Sequence, residues 1–135
     1  MPDKNIRILV VDDFSSMRKI IKNVLLQLGY ERIDEAGDGQ SAMESMRAAK
    51  FDLVVSDWNM PVKTGLDLFR DMRADPELKD VPFLMVTAYS EKDHVLEAVQ
   101  AGVTNYVLKP FSPKVMEERL AAIFPDRLTH NRRSD

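Results

Sequence analysis

The chain has 135 residues, 44% of them hydrophobic and 30% charged, with a formal net charge of −3 and no cysteine. That size and balance suit one globular domain without covalent staples, and they exclude disulfides, thiolate chemistry and a broad attraction to nucleic acid or anionic lipid. No apolar run approaches the roughly 20 residues that cross a bilayer, and the start, "MPDKNIRILVV", lacks the pattern of a signal peptide, so a cytoplasmic protein with no membrane partner is expected.

The first element is "IRILVV" (Ile6–Val11), apolar nearly throughout, as expected of a strand covered on both faces of a parallel sheet. Met17, Ile20, Ile21, Val24, Leu25 and Leu28 then follow the i, i+3, i+4, i+7 rule and predict a helix ended by Gly29. "RIDEA" (Arg32–Ala36) is a weaker run and predicts an edge strand. Ala42, Met43, Met46 and Ala49 form a shorter helical stripe. "DLVVS" (Asp52–Ser56) predicts a third strand, closed by Asp57. Thr64 with Asp67 reads as a capping box, with Leu66, Phe69 and Met72 as its helix's apolar face. "PFLMVT" (Pro82–Thr87) predicts the fourth strand. Ser90 with Asp93 repeats the capping pattern before Val95, Leu96 and Val99, and Gly102 ends that helix. "NYVLK" (Asn105–Lys109) predicts the fifth strand. Ser112 and Pro113 suit an N-cap and first helical position ahead of Val115, Met116, Leu120 and Ile123, and Pro125 ends the helix. Residues 126–135 carry no apolar period and predict a mobile polar tail behind one domain of residues 1–125. Five alternating strands and helices predict an α/β fold with a parallel sheet and helices on both faces. In such sheets the site lies beyond the carboxyl ends of the strands.

The residues at those ends carry the chemistry. Asp12 and Asp13 follow the first strand and Asp57 the third; Thr87 closes the fourth and Lys109 the fifth. Taken singly, an aspartate after a strand is a turn residue more often than a reactive one. Together they are harder to explain structurally: two carboxylates about 4 Å apart repel by roughly 4 kcal/mol at an effective dielectric near 20. A hard divalent cation relieves that repulsion, and an oxygen-only set without nearby His or Cys favours Mg²⁺ or Mn²⁺ over zinc. A carboxylate, a cation, a lysine and a threonine point to phosphoryl transfer, with aspartate as nucleophile. The adjacent Asp12 and Asp13 diverge in an extended chain and suit a metal pair at the start of a loop. Asp57 stands alone at the end of the other central strand and is the better nucleophile.

"LVVDDFSSMRKIIKNVL", "VVSDWNMP", "LMVTA" and "AGVTNYVLKPF" resemble the receiver domain of two-component response regulators, most of all its single-domain chemotaxis members, over about residues 5 to 124. The resemblance implies a flavodoxin-like (βα)5 sandwich with strand order 2-1-3-4-5. It implies Asp57 as phosphoacceptor, Asp13 as a direct Mg²⁺ ligand with Asp12 its partner, and the Asn59 carbonyl as a further ligand. Thr87 and Lys109 match the pair that contacts the phosphoryl group, Tyr106 the aromatic switch residue, and Lys109–Pro110 a peptide bond usually cis in the family. The partners implied are a histidine kinase of chemotaxis type as phosphodonor and the flagellar motor switch as target, with a phosphatase as a further one. The output face is the fourth helix, fifth strand and fifth helix. No DNA-binding segment follows residue 124, so output by protein contact is expected. The sequence departs from the best-known chemotaxis members at Tyr89, where they have an acidic residue. Ala88 and Tyr89 flank the site mouth, and the ring is expected to slow loss of the phosphoryl group.

Three other functions compete. A phosphorelay carrier or phosphate sink uses the same site residues. An aspartyl-phosphate phosphatase usually has two aspartates two residues apart on the first strand and a cap domain; here Asp12 and Asp13 are adjacent and no cap insertion exists. A flavin-binding module shares the sheet order, but the acidic loop "DDFSSM" repels a phosphate. Turnover on external substrates is therefore not expected. Plainer readings apply elsewhere: Trp58 as a loop anchor, Tyr106 as a half-buried strand aromatic, most methionines as core filling, His94 as an exposed helix residue, and Arg127, Arg132 and Arg133 as a solvated end.

Overall fold

The computed structural model describes residues 3–60, 62–88, 92–103 and 105–124, with the backbone alone at Lys92 and His94. Tyr89, the Ser90 cap, Pro125, the tail and the side chain of His94 lie outside the described residues.

The apolar runs become β1 (Arg7–Val11), β2 (Arg32–Ala36), β3 (Leu53–Asp57), β4 (Phe83–Ala88) and β5 (Tyr106–Lys109). They pair in parallel in the order β2-β1-β3-β4-β5, which makes "RIDEA" an edge strand, as its weaker pattern predicts. Between them run α1 (Ser15–Gln27), α2 (Gly39–Ala48), α3 (Gly65–Ala74) and α4 (Lys92–Gln100), and α5 (Pro113–Ile123) follows β5. Successive strand residues face opposite sides. Leu9, Val11, Val54 and Met85 pack with Met43 and Met46 of α2, Leu66 and Met72 of α3 and Ala98 of α4. Ile8, Val10, Leu53, Val55, Leu84 and Val86 pack with Ile21 and Leu25 of α1 and Met116 and Leu120 of α5. Two cores, one on each face, are the reason the central strands lack alternation: every position is inside. Each fully buried side chain of this size contributes about 1.5–3 kcal/mol.

Helix ends follow their local chemistry. Thr64 and Asp67 form the reciprocal capping box, Ser112 accepts from the Val115 N–H with Pro113 at the first helical position, and Gly29 and Gly102 take φ of +102° and +105°, where a side chain is strained. Three expectations about the core need correction. Ile20 of α1 and Leu96 and Val99 of α4 are 52%, 59% and 51% exposed, and Ala98 is the residue α4 buries among its described side chains. A helix on one face of a sheet buries a narrow stripe, so only part of a broad apolar arc touches the strands. Strand β3 also runs one residue further than expected: Asp57 is its last member, paired in register with Val86.

Candidate functional site

Asp12 begins the turn after β1. Its N–H donates to the Ala36 carbonyl of β2 at 3.2 Å, and its Oδ1 accepts the Phe14 N–H at 2.9 Å. The chain thus leaves extended geometry at once, and Asp12 and Asp13 do not diverge as they would in a strand. Asp12, Asp13 and Asp57 each bring one carboxylate oxygen within 4.8 Å of the other two. Asp12 and Asp57 are buried and Asp13 half-buried. Asp12 Oδ2 and Asp13 Oδ1 are buried and accept no hydrogen bond among the described residues.

Asp57 Oδ1 accepts from Lys109 Nζ at 2.9 Å. Lys109 belongs to β5 and reaches across β4 to do so. Ala88 stands in register with it, where a short side chain leaves the ammonium room. Thr87, one residue before, is buried, and its Oγ1 has no partner among the described residues. Tyr106 opens β5 half-buried against the core on the α2–α4 side. It pairs with Met85, as Leu108 pairs with Thr87, so Thr87 and Tyr106 share one face of neighbouring strands. Asn59 lies exposed in the β3–α3 loop, two residues past Asp57, and Trp58 is packed into the core. The Lys109–Pro110 bond is cis.

The charges strain against their surroundings. Burial is the largest influence on Asp12 and, with the charges of Asp57 and Asp13, lifts its carboxyl to about 6; the Phe14 N–H and the Lys109 charge oppose this. Burial also raises Asp57, against the Lys109 hydrogen bond and charge and the Trp58 N–H, with Asp13 adding to the rise. A burial-raised carboxylate group served by one ammonium is short of positive charge.

Two contributors escaped the sequence reading. The Gly65 N–H donates to the Trp58 carbonyl at 2.9 Å, and a Cβ at Gly65 would lie 2.3 Å from the Asp57 carbonyl oxygen. Only glycine lets α3 start against the end of β3. Arg18 donates from Nη1 to the Asp12 carbonyl at 2.6 Å. A glycine after a cap is a weak local signal, and an arginine six residues past an aspartate is none.

The response regulator receiver domain model matches residues 8–121 of the chain. Over 122 residues the chain is 48% identical to chemotaxis protein CheY-3 of Vibrio cholerae, covering 90% of this chain and 94% of that one. Over 118 residues it is 52% identical to chemotaxis protein CheY of Pseudomonas aeruginosa, covering 87% and 95%. The solved structure of V. cholerae CheY4 aligns with TM-score 0.79 at 32% identity, over 89% of this chain and 99% of that one. The receiver domain of a P. aeruginosa sensor histidine kinase, solved with a magnesium ion in its active-site cleft, aligns with TM-score 0.80 at 27% identity, over 90% and 99%. The five-stranded sandwich is the flavodoxin-like fold of these receivers. The chain belongs to the receiver-domain family of two-component response regulators.

Proposed function

We propose that the chain is a phosphorylation-activated response regulator that accepts a phosphoryl group on Asp57 and signals by protein contact in chemotaxis. The observation that carries this reading is the carboxylate cluster with Lys109 Nζ 2.9 Å from Asp57 Oδ1. The site suits a hard cation: its donors are all oxygen, and two buried carboxylate oxygens have no partner among the described residues. Asp12, Asp13, Asp57 and the Asn59 carbonyl would hold Mg²⁺, with Mn²⁺ as the alternative. When bound, the cation supplies positive charge beside the nucleophile and the phosphoryl oxygens.

The Asp57 carboxylate attacks phosphorus of a kinase phosphohistidine. An O–P bond forms as the N–P bond breaks, and the electron pair returns to the imidazole nitrogen, which takes a proton from water. Lys109 shifts its contact from Asp57 to a phosphoryl oxygen, and the Thr87 hydroxyl donates to another. That shift couples to Tyr106 on the same sheet face and biases a two-state equilibrium. The output face is α4, β5 and α5, where Tyr106, Leu108 and Phe111 line a groove. The chemotaxis names of the 48–52% identical relatives favour the flagellar motor switch as target and a chemotaxis kinase as donor. The protein acts in the cytoplasm, and the only chemistry it catalyses is on its own Asp57. Residues 1–125 form the receiver and 126–135 a polar tail.

The likeness to a sensor kinase's receiver favours a second reading, a phosphorelay carrier or sink. Deletion separates the two: loss of a motor regulator alters swimming reversals, and loss of a carrier leaves them intact. For the chemistry itself, Mg²⁺-dependent labelling by acetyl phosphate should be complete in the wild type and absent in Asp57→Ala. Label retained in Asp57→Ala overturns the reading.

A further inference from the structure

Asp12 is held from three sides, and one of these ties falls on the peptide that joins it to Asp13. The Asp12 N–H is bound to β2 through the Ala36 carbonyl, and Oδ1 is tied to the Phe14 N–H. The third tie comes from α1, where Arg18, its side chain 19% exposed, donates Nη1 to the Asp12 carbonyl at 2.6 Å and Nε to Glu35 Oε1 on β2 at 3.0 Å. Lys22 Nζ lies 3.7 Å from the same glutamate. Arg18 therefore has its charge answered by Glu35 through Nε and turns an Nη1 donor to a backbone oxygen. That oxygen belongs to the planar unit joining Asp12 to Asp13. Fixing it fixes the plane, and the plane sets the angle between the two carboxylates that leave it. Each of those carboxylates, which meet Asp57 within 4.8 Å, keeps one buried oxygen, Asp12 Oδ2 and Asp13 Oδ1, without a partner among the described residues.

We propose that Arg18, braced by Glu35, is a positioning residue for the cation site: it sets the Asp12–Asp13 peptide plane and so the bite of the two carboxylates. The inference rests on the cation reading above. A guanidinium suits the task because its rigid fork serves two acceptors at once; an ammonium on a flexible stem holds one at a time. Residues that orient metal ligands without touching the metal typically change affinity by about 10- to 100-fold when lost.

The test titrates the full chain with Mg²⁺ alone and follows the fluorescence of Trp58, which is the chain's single tryptophan and neighbours Asp57. Arg18→Met should weaken Mg²⁺ affinity about tenfold, Glu35→Gln several-fold, and Arg18→Lys should recover part of the loss. Ile21→Val, buried in the same helix, should lower Tm and leave Mg²⁺ affinity within about twofold, since it thins packing without touching the turn. Asp13→Asn should abolish the saturable response. If it does and both Arg18→Lys and Glu35→Gln bind Mg²⁺ like the wild type, the positioning role is overturned even should Arg18→Met fail to fold. If Asp13→Asn binds like the wild type, or the wild type gives no saturable response, the cation reading falls and the inference with it.

Discussion

Asp12 shows in one residue how the site is built at a cost to the fold. Its carboxyl titrates near 6, chiefly because it is buried. In the unfolded chain it returns to the ordinary carboxylate range near 4. Between those values the unfolded chain has released its proton and the folded chain keeps it, so stability is highest below about pH 4 and falls as pH rises through about 6. Asp57, raised by the same cause, adds in the same direction. Other carboxylates oppose this. Asp38 caps α2 by accepting the Ser41 N–H, which lowers its pKa, so its contribution is lost as pH falls. The separable prediction is therefore a difference. In a chelator, the urea midpoint of wild type minus that of Asp12→Asn should drop between pH 4 and 7. With excess Mg²⁺ the drop should shrink, because a bound cation favours the ionised carboxylates. A wild-type minus mutant difference that stays flat in chelator would mean Asp12 is not burial-strained.

At the scale of the element, the site depends on where helices begin and strands stop. Helix α3 starts at Gly65 against the end of β3, with Thr64 and Asp67 closing its first turn. Gly65→Ala would place a methyl 2.3 Å from the Asp57 carbonyl oxygen and 3.0 Å from Met85 Sδ. Met85 can swing aside, but the Asp57 backbone is held in the ladder with β4. A loss of about 2–3 kcal/mol in urea unfolding is expected, as for other overpacked sites, with slower acetyl phosphate labelling because Asp57 is displaced. Thr64→Ala is the comparison: it removes a cap, costs about 1 kcal/mol, and should leave labelling near the wild-type rate. If the two variants label alike, the close approach of α3 does not matter to the site.

The same scale explains what the sequence could and could not disclose. Strands buried on both faces leave unbroken apolar runs, and the polar residue that stops each run is visible, so Asp12, Asp57, Thr87 and Lys109 stood out by position. Caps are local, and Thr64 and Ser112 were legible for that reason. The inward direction of a helix is a tertiary matter: Ile20, Leu96 and Val99 extend apolar stripes whose edges meet water. The Arg18 contact with Asp12 depends on how α1 lies against β1 and β2, and no spacing rule encodes it.

At the scale of the whole molecule, the proposed chemistry and the proposed output face occupy different parts of one sheet. Asp57 and Lys109 meet at the strand ends, while Tyr106 and Ala98 of α4 share the core beneath. Thr87 and Tyr106 occupy the same face of adjacent strands, as the proposed coupling between them requires. The outer side of α4 then carries two large apolar side chains, Leu96 and Val99, that contribute little to the core. Exposed apolar residues scattered singly need no explanation, but two on one helix of the proposed output face do. Leu96→Glu separates the functions: it buries no charge, so stability should stay within about 0.5 kcal/mol of wild type. Acetyl phosphate labelling of Asp57 should also be unchanged. Binding of the phosphorylated protein to the proposed motor-switch target should fall at least about tenfold, because a charge would be desolvated at the contact. A variant that labels normally and still binds its target with wild-type affinity would move the output surface off α4.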